Sequence, residues 1–194
     1  MGWVARVAPL GDVLEIAAGT GRVSQLIAPH ASRLVLLDSS PSSLALAGEK
    51  LAQSAAYVGS VCLDVFDWRP PRRFDTVIFA AWLHHVPHAF LNAFWEIIEA
   101  ATARDGRVMF DFAVDTPTAH VTQPPATPSD GYGKYHDPIR NVSVRDLNGH
   151  RWTVVHETWN AETLSERLGS LGWEVTVTGP GDDTFQWATA CRRQ

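Results

Sequence analysis

Cysteine is scarce in this 194-residue chain, and the two present, Cys62 and Cys191, cannot form a disulfide framework. Both lie in apolar, strand-length runs and read as buried thiols that behave as small hydrophobes. Long apolar runs are missing as well. Nothing approaches the roughly 18 residues of a membrane helix, and no secretory signal opens the chain. The expected setting is therefore cytoplasmic, with no membrane partner. A basic excess is also lacking: 16 Lys and Arg against 21 Asp and Glu give a net charge of −5, which argues against nucleic acid as a partner. The doublets Arg72-Arg73 and Arg192-Arg193 read as solvated surface. No metal site is expected, because His84, His85 and His88 lack the helical pair with a matching carboxylate that zinc sites of this kind use. What is present, 45% hydrophobic and 19% charged residues, suits one folded domain spanning 1–194.

The first half alternates strand-length apolar runs with helix-length amphipathic ones, the pattern of βαβ units around a parallel sheet. Strands are expected at 12–17, 34–37, 55–63, 76–81 and 107–114. Helices are expected after the first strand through Ala28, from Pro41 with Ser39-Ser40 before it, and over 90–103. A hydroxyl N-cap followed by proline at the first helical position is a strong start signal. The stretch 115–138 holds five prolines and no periodicity, and reads as an irregular loop, a candidate lid. Asn148-Gly149 between alternating runs predicts an extra β-hairpin at about 142–158. A helix over 161–171 and strands at 173–178 and 184–191 close the chain. The fold expected is α/β: a Rossmann-like, mostly parallel seven-stranded sheet with an antiparallel last strand and helices on both faces.

The run Glu15-Ile16-Ala17-Ala18-Gly19-Thr20-Gly21 leaves the first strand and enters the first helix. Glycine there lets the backbone turn sharply and a ligand approach without a Cβ in the way. With Asp38 closing the second strand, the arrangement points to a nucleoside cofactor. A nicotinamide site would want glycine where Ser24 stands. Glu15 inside the motif would repel a diphosphate and attract an ammonium or sulfonium group.

Val13 to Gly21 resembles the first motif of class I S-adenosylmethionine-dependent methyltransferases of the bacterial small-molecule type, with Ala17 in place of the usual first glycine. The resemblance extends over nearly the whole chain through Asp38, Asp64-Val65, Phe74-Asp75-Thr76-Val77, Leu83-His84-His85-Val86-Pro87, Phe94-Trp95 and Asp105-Gly106-Arg107-Val108. It continues in Leu147-Asn148-Gly149 and the segment from Leu168 to Trp173. It implies S-adenosyl-L-methionine as cofactor, held at Glu15, Ala17, Gly19, Thr20, Gly21, Asp38, Ser39, Asp64, Val65 and Ala80. Asp38 would accept both ribose hydroxyls; the alternative is a charge favourable at a helix start. Asp64 would meet the adenine amino group and the Val65 N–H a ring nitrogen; the alternative is a plain loop acid, with Asp67 able to substitute. Glu15 would orient the loop or meet the methionine ammonium through water, and the Ala80 carbonyl would accept from that ammonium.

His85, and after it His84, are the candidate catalytic bases, since imidazole accepts a proton near neutral pH. Their alternative role is to shape the turn. Adjacent histidines on extended chain are expected to point apart. Trp82, His85, Tyr132 and Tyr135 are candidates for the substrate pocket, whereas Trp95 reads as core. The expected partner is a small-molecule methyl acceptor, in a monomer or homodimer, with methyl transfer to an O or N atom. Similar methyltransferases carry N-terminal helices over the cofactor, while about ten residues precede the first strand here. Either the chain is a truncated or mis-started version, or the 115–138 loop or a partner subunit would do the covering. Two alternative functions follow: a non-catalytic cofactor-binding protein or subunit, and an NAD-dependent oxidoreductase.

Overall fold

A computed structural model describes residues 7–114, 132–137, 142–147, 150–178 and 185–193; for the strands at 132–137 and 142–147, and for 150–152, the description is of the backbone. The strands are β1 (Gly11–Ile16), β2 (Ala31–Asp38), β3 (Tyr57–Cys62), β4 (Phe74–Phe79), β5 (Thr102–Ala113), β6 (Tyr132–Asp137), β7 (Val142–Leu147), β8 (His150–Val155), β9 (Trp173–Val177) and β10 (Phe185–Arg192). The helices are α1 (Ser24–Ile27), α2 (Pro41–Leu51), α3 (Leu91–Ala101) and α4 (Ala161–Ser170). One sheet has the order β3-β2-β1-β4-β5-β10-β9. Its first five strands are parallel and β10 runs antiparallel to both neighbours. This is the Rossmann-like seven-stranded sheet that the pattern predicts.

Alternation along the strands sorts apolar side chains into two cores, one on each sheet face. On β4 and β5, Val77, Phe79, Val108 and Phe110 pack against Leu91, Phe94, Trp95 and Ile98 of α3 and Leu164 and Leu168 of α4. Their neighbours Ile78 and Met109 turn the other way and join Ile27, Leu44, Ala47 and Leu51 of α1 and α2. Each of these large side chains contributes about 2 kcal/mol by leaving water. Helix α2 starts as its sequence dictates: Ser40 Oγ accepts the Ser43 N–H at 3.2 Å, with Pro41 next in line. Asn160 caps α4 in the same way, accepting from Glu162 and Thr163.

Several expectations need correction. Helix α1 is four residues long, because Gly21 to Val23 is spent on turns before the helix begins. The 115–138 stretch is not irregular throughout: β6 occupies 132–137 and pairs antiparallel with β7, making the expected β7–β8 hairpin a three-stranded sheet. Tyr, Lys and His supply adequate strand residues there, but their polarity conceals the period. Residues 115–131 and the turn Asn148-Gly149 lie outside the described residues. Both cysteines are exposed rather than buried. Cys62 ends the edge strand β3, and Cys191 lies on the opposite face of β10 from Ala188 and Ala190, which face the core. Among the described residues, no helix is long and apolar enough to cross a membrane.

Candidate cofactor site

The carboxyl ends of β1 to β4 converge on one crevice. Its walls are Ile16, Ala17, Leu37, Asp38, Ser39, Leu63, Asp64, Val65 and Trp82, around a cavity of about 80 Å³ that opens to solvent. Open α/β sheets bind ligands here because the loops leaving adjacent strands diverge. Of the expected cofactor residues, Ala17, Asp38, Ser39, Asp64 and Val65 line it. Gly19, Thr20 and Gly21 belong to the loop beside it, Glu15 lies buried behind that loop, and Ala80 stands just before the wall residue Trp82.

The loop is held by hydrogen bonds rather than by a long helix. Asp38 accepts the Gly19 N–H on Oδ2 and the Ser40 N–H on Oδ1, both at 2.8 Å. Ala18 N–H donates to the Leu37 carbonyl at 3.2 Å, and Lys50 Nζ donates to the Thr20 carbonyl at 2.6 Å. Gly21 has φ +77°, and a Cβ there would sit 2.9 Å from the Ala47 Cβ, so the loop passes directly against α2. Gly19 also has positive φ, but a Cβ would meet nothing within 4 Å. Ala17 adopts φ 54° in the place of the usual glycine, a conformation that costs an L-residue about 1 kcal/mol.

Glu15 is 2% exposed and accepts the Ser24 hydroxyl at 2.5 Å. Burial pushes its carboxyl up from 4.5 to about 7; the Ser24 bond pulls it down, and the negative charge of Asp38 pushes it up again. Asp64 accepts the Phe66 N–H on Oδ1 at 2.9 Å and so shapes the turn it begins while also lining the crevice. Asp67 is exposed and does not line it.

After β4 the chain makes a left-handed turn at Ala81, φ 51°, where Asp111 Oδ1 accepts the Ala81 N–H at 2.6 Å. His84 and His85 occupy the following 3-10 turn, Leu83–His85. Their rings do not point apart. The tighter winding of the turn brings the centroids to 3.9 Å, correcting the extended-chain expectation. His85 Nδ1 lies 2.8 Å from the Val155 carbonyl, so that nitrogen carries the proton and Nε2 is the basic nitrogen of the neutral ring. Trp82 stands between the crevice and His85, its ring 6.2 Å from the imidazole. Of the other pocket candidates, Tyr132 and Tyr135 are on β6, and their side chains lie outside what is described. Trp95 is core, as expected.

Sequence reasoning missed Ser24 as the partner of Glu15, and it missed Asp111. The second was detectable: Asp111 is one acid inside the apolar strand Val108 to Ala113, and it is buried. It also missed His156 and Glu157, which the exit of β8 brings to the histidine pair. The rings of His84 and His156 are 5.1 Å apart, and the Glu157 N–H donates to the His84 carbonyl at 2.8 Å. No signal in the sequence links those segments. Among the described residues, no group of side chains could hold a metal ion.

Sheet order, glycine loop and the acid closing β2 define a Rossmann-like protein with a nucleoside-cofactor crevice. The sequence pattern of the family described as "Methyltransferase domain" matches residues 13–106. The chain is 32% identical to DhpI, solved as a DhpI-SAM-HEP complex, over 96% of this chain and 81% of that one, with a TM-score of 0.73. It is similar to Nodulation protein S of Sinorhizobium fredii (strain NBRC 101917 / NGR234), at 22% identity over 108 residues. That match spans 55% of this chain and 50% of the relative, about half its length. The N-methyltransferase NodS from Bradyrhizobium japonicum WM9, solved with S-adenosyl-L-homocysteine, shares the fold at 15% identity (TM-score 0.65), covering 98% of this chain and 82% of that one. The chain belongs to the class I S-adenosylmethionine-dependent methyltransferases, whose cofactor is S-adenosyl-L-methionine.

Proposed function

We propose that this protein transfers a methyl group from S-adenosyl-L-methionine to an O or N atom of a small molecule. The observation that carries this is the pinned carboxylate of Asp38. Each of its oxygens takes one backbone N–H, which fixes the group beside the glycine loop, and each retains a second lone pair for a ribose hydroxyl. The residues present fit the cofactor. Asp38 would hold the sugar, Asp64 and Val65 the adenine, and Ala17 to Gly21 the amino-acid end, with the buried Glu15 behind them. An NAD reading fits less well, because Ser24 is tied to a buried carboxylate directly beneath the position where a diphosphate would lie.

When bound, the cofactor supplies an electrophilic methyl on a sulfonium. The protein's own task is to align an acceptor with that carbon, exclude water and remove a proton where the acceptor is a hydroxyl. Trp82 would form the wall between crevice and acceptor. His85 would take the proton on Nε2, with its ring orientation fixed by the Nδ1–H bond to Val155. The small sheet β6–β8, which meets the histidine turn at Val155, would serve as cover, as lids do. A hydroxyl acceptor is the case in which His85 is needed, because that acceptor must lose a proton as it is methylated.

Calorimetry with S-adenosyl-L-methionine, S-adenosyl-L-homocysteine and NAD tests the reading. Binding of the first two, and a loss of roughly 30-fold or more in Asp38→Ala, is expected from two charge-assisted bonds of about 1–2 kcal/mol each. Binding of NAD alone, or unchanged affinity in the variant, refutes it. Assays against small phenols, acids and amines separate an enzyme from a cofactor-binding partner that lacks turnover.

A further inference from the structure

We propose that Asp111 is a positioning residue that fixes the Ala80 carbonyl as an acceptor for an ammonium group. The proposal rests on the reading of the crevice as the S-adenosyl-L-methionine site. Asp111 lies on β5, one residue beyond the paired positions Phe79 and Phe110. Phe110 and Phe112 face the α3 and α4 core, so alternation turns Asp111 to the opposite side of the sheet. There its carboxylate accepts the Ala81 N–H at 2.6 Å.

That N–H and the Ala80 carbonyl belong to one peptide group. In a planar trans peptide the two bonds point in opposite directions. Holding the N–H therefore aims the Ala80 carbonyl away from Asp111. A negatively charged acceptor on the N–H also polarises the peptide and makes its carbonyl oxygen a stronger acceptor. The grip is needed because Ala81 sits at φ 51°, which an alanine leaves unless something retains it. Asp111 is 7% exposed, so its bond to the backbone competes little with water. The ligand class that reads such a carbonyl is a primary ammonium, here the α-amino group of the cofactor's methionine part.

The test compares S-adenosyl-L-homocysteine with its analogue lacking the α-amino group, titrated by calorimetry into the full chain. In the wild type the amino ligand is expected to bind at least tenfold more tightly. Asp111→Ala should cut the affinity for S-adenosyl-L-homocysteine about tenfold and leave the deaminated ligand within twofold, so that the two converge. Asp111→Asn keeps shape and an acceptor oxygen but no charge, and should lose about threefold on the amino ligand alone. It serves as the test should the alanine variant fail to fold. Equal losses on both ligands, or no loss on either, overturn the proposal, as does Asn behaving like Ala. A wild type that ignores S-adenosyl-L-homocysteine brings down the site reading itself, an outcome distinct from unchanged selectivity in the variants.

Discussion

Glu15→Gln should make the protein more stable at neutral pH and alter how stability depends on acidity. The displacement of the Glu15 carboxyl from 4.5 to about 7 corresponds to about 3 kcal/mol. Below pH 4.5 the group is protonated in folded and unfolded chains alike, and its burial adds no charge penalty. Between pH 4.5 and about 7 the unfolded chain has released its proton while the folded chain retains it, so stability falls as pH rises. Above about 7 both are ionised and the whole cost persists. Gln carries no charge but keeps an oxygen for the Ser24 hydroxyl, so the variant escapes the cost without losing the bond. The difference between variant and wild type should grow from near zero at pH 4.5 to about 3 kcal/mol above pH 7, or roughly 6–12 °C in Tm for a domain of this size. Thermal and urea unfolding at matched ionic strength from pH 4.5 to 8 measure it. Parallel curves for the two proteins across that range would refute the buried-carboxyl argument. Cofactor affinity should move oppositely: a cation beside the loop favours the ionised carboxylate, so wild-type binding strengthens through pH 7 and binding to the variant does not.

Gly21→Ala should cost about 2–4 kcal/mol, since the new Cβ meets the Ala47 Cβ at 2.9 Å and φ is +77°; a loss of less than about 1 kcal/mol in the unfolding free energy from urea titration would show the loop gives way. For His85→Ala, turnover with a hydroxyl acceptor should fall by about 10²-fold or more while affinity for S-adenosyl-L-homocysteine stays within threefold. Full activity in that assay would remove His85 as base and leave it the role of holding Val155.

The sheet was legible because its information is local. Apolar runs such as Thr76 to Phe79 and the cap at Ser40-Pro41 dictate their own conformation, and the glycine loop follows from what must turn there. The place of Asp38 at the crevice wall was legible for a similar reason: it ends a strand just before a helix start, two local signals at one residue. What was not legible depends on partners distant in the chain. Asp111 meets Ala81 across 30 residues, Ser24 meets Glu15 across a turn, and His85 meets Val155 across 70. The histidine geometry failed for a different reason. Extended backbone after β4 would turn the rings apart, whereas the left-handed Ala81 feeds a 3-10 turn that draws them together. β6 was missed because polar strand residues on a small sheet lack the apolar alternation that betrays a strand.

The same hydrogen bonds argue for the charge of the ligand. Phosphate-binding loops present backbone N–H groups at the start of a full-length helix, and leave them for the anion. Here α1 is four residues long, and four N–H groups around the crevice are committed to acids. Gly19 and Ser40 donate to Asp38, Phe66 donates to Asp64, and Ala81 donates to Asp111. Each carboxylate therefore serves twice, bracing a loop and adding negative potential at the carboxyl edge of the sheet, with Glu15 buried just behind. A diphosphate entering this edge would face acids whose compensating donors are spent. A ligand carrying a sulfonium and an ammonium would find braced loops and a field of the right sign, which is the physical argument for a methyl donor over a dinucleotide.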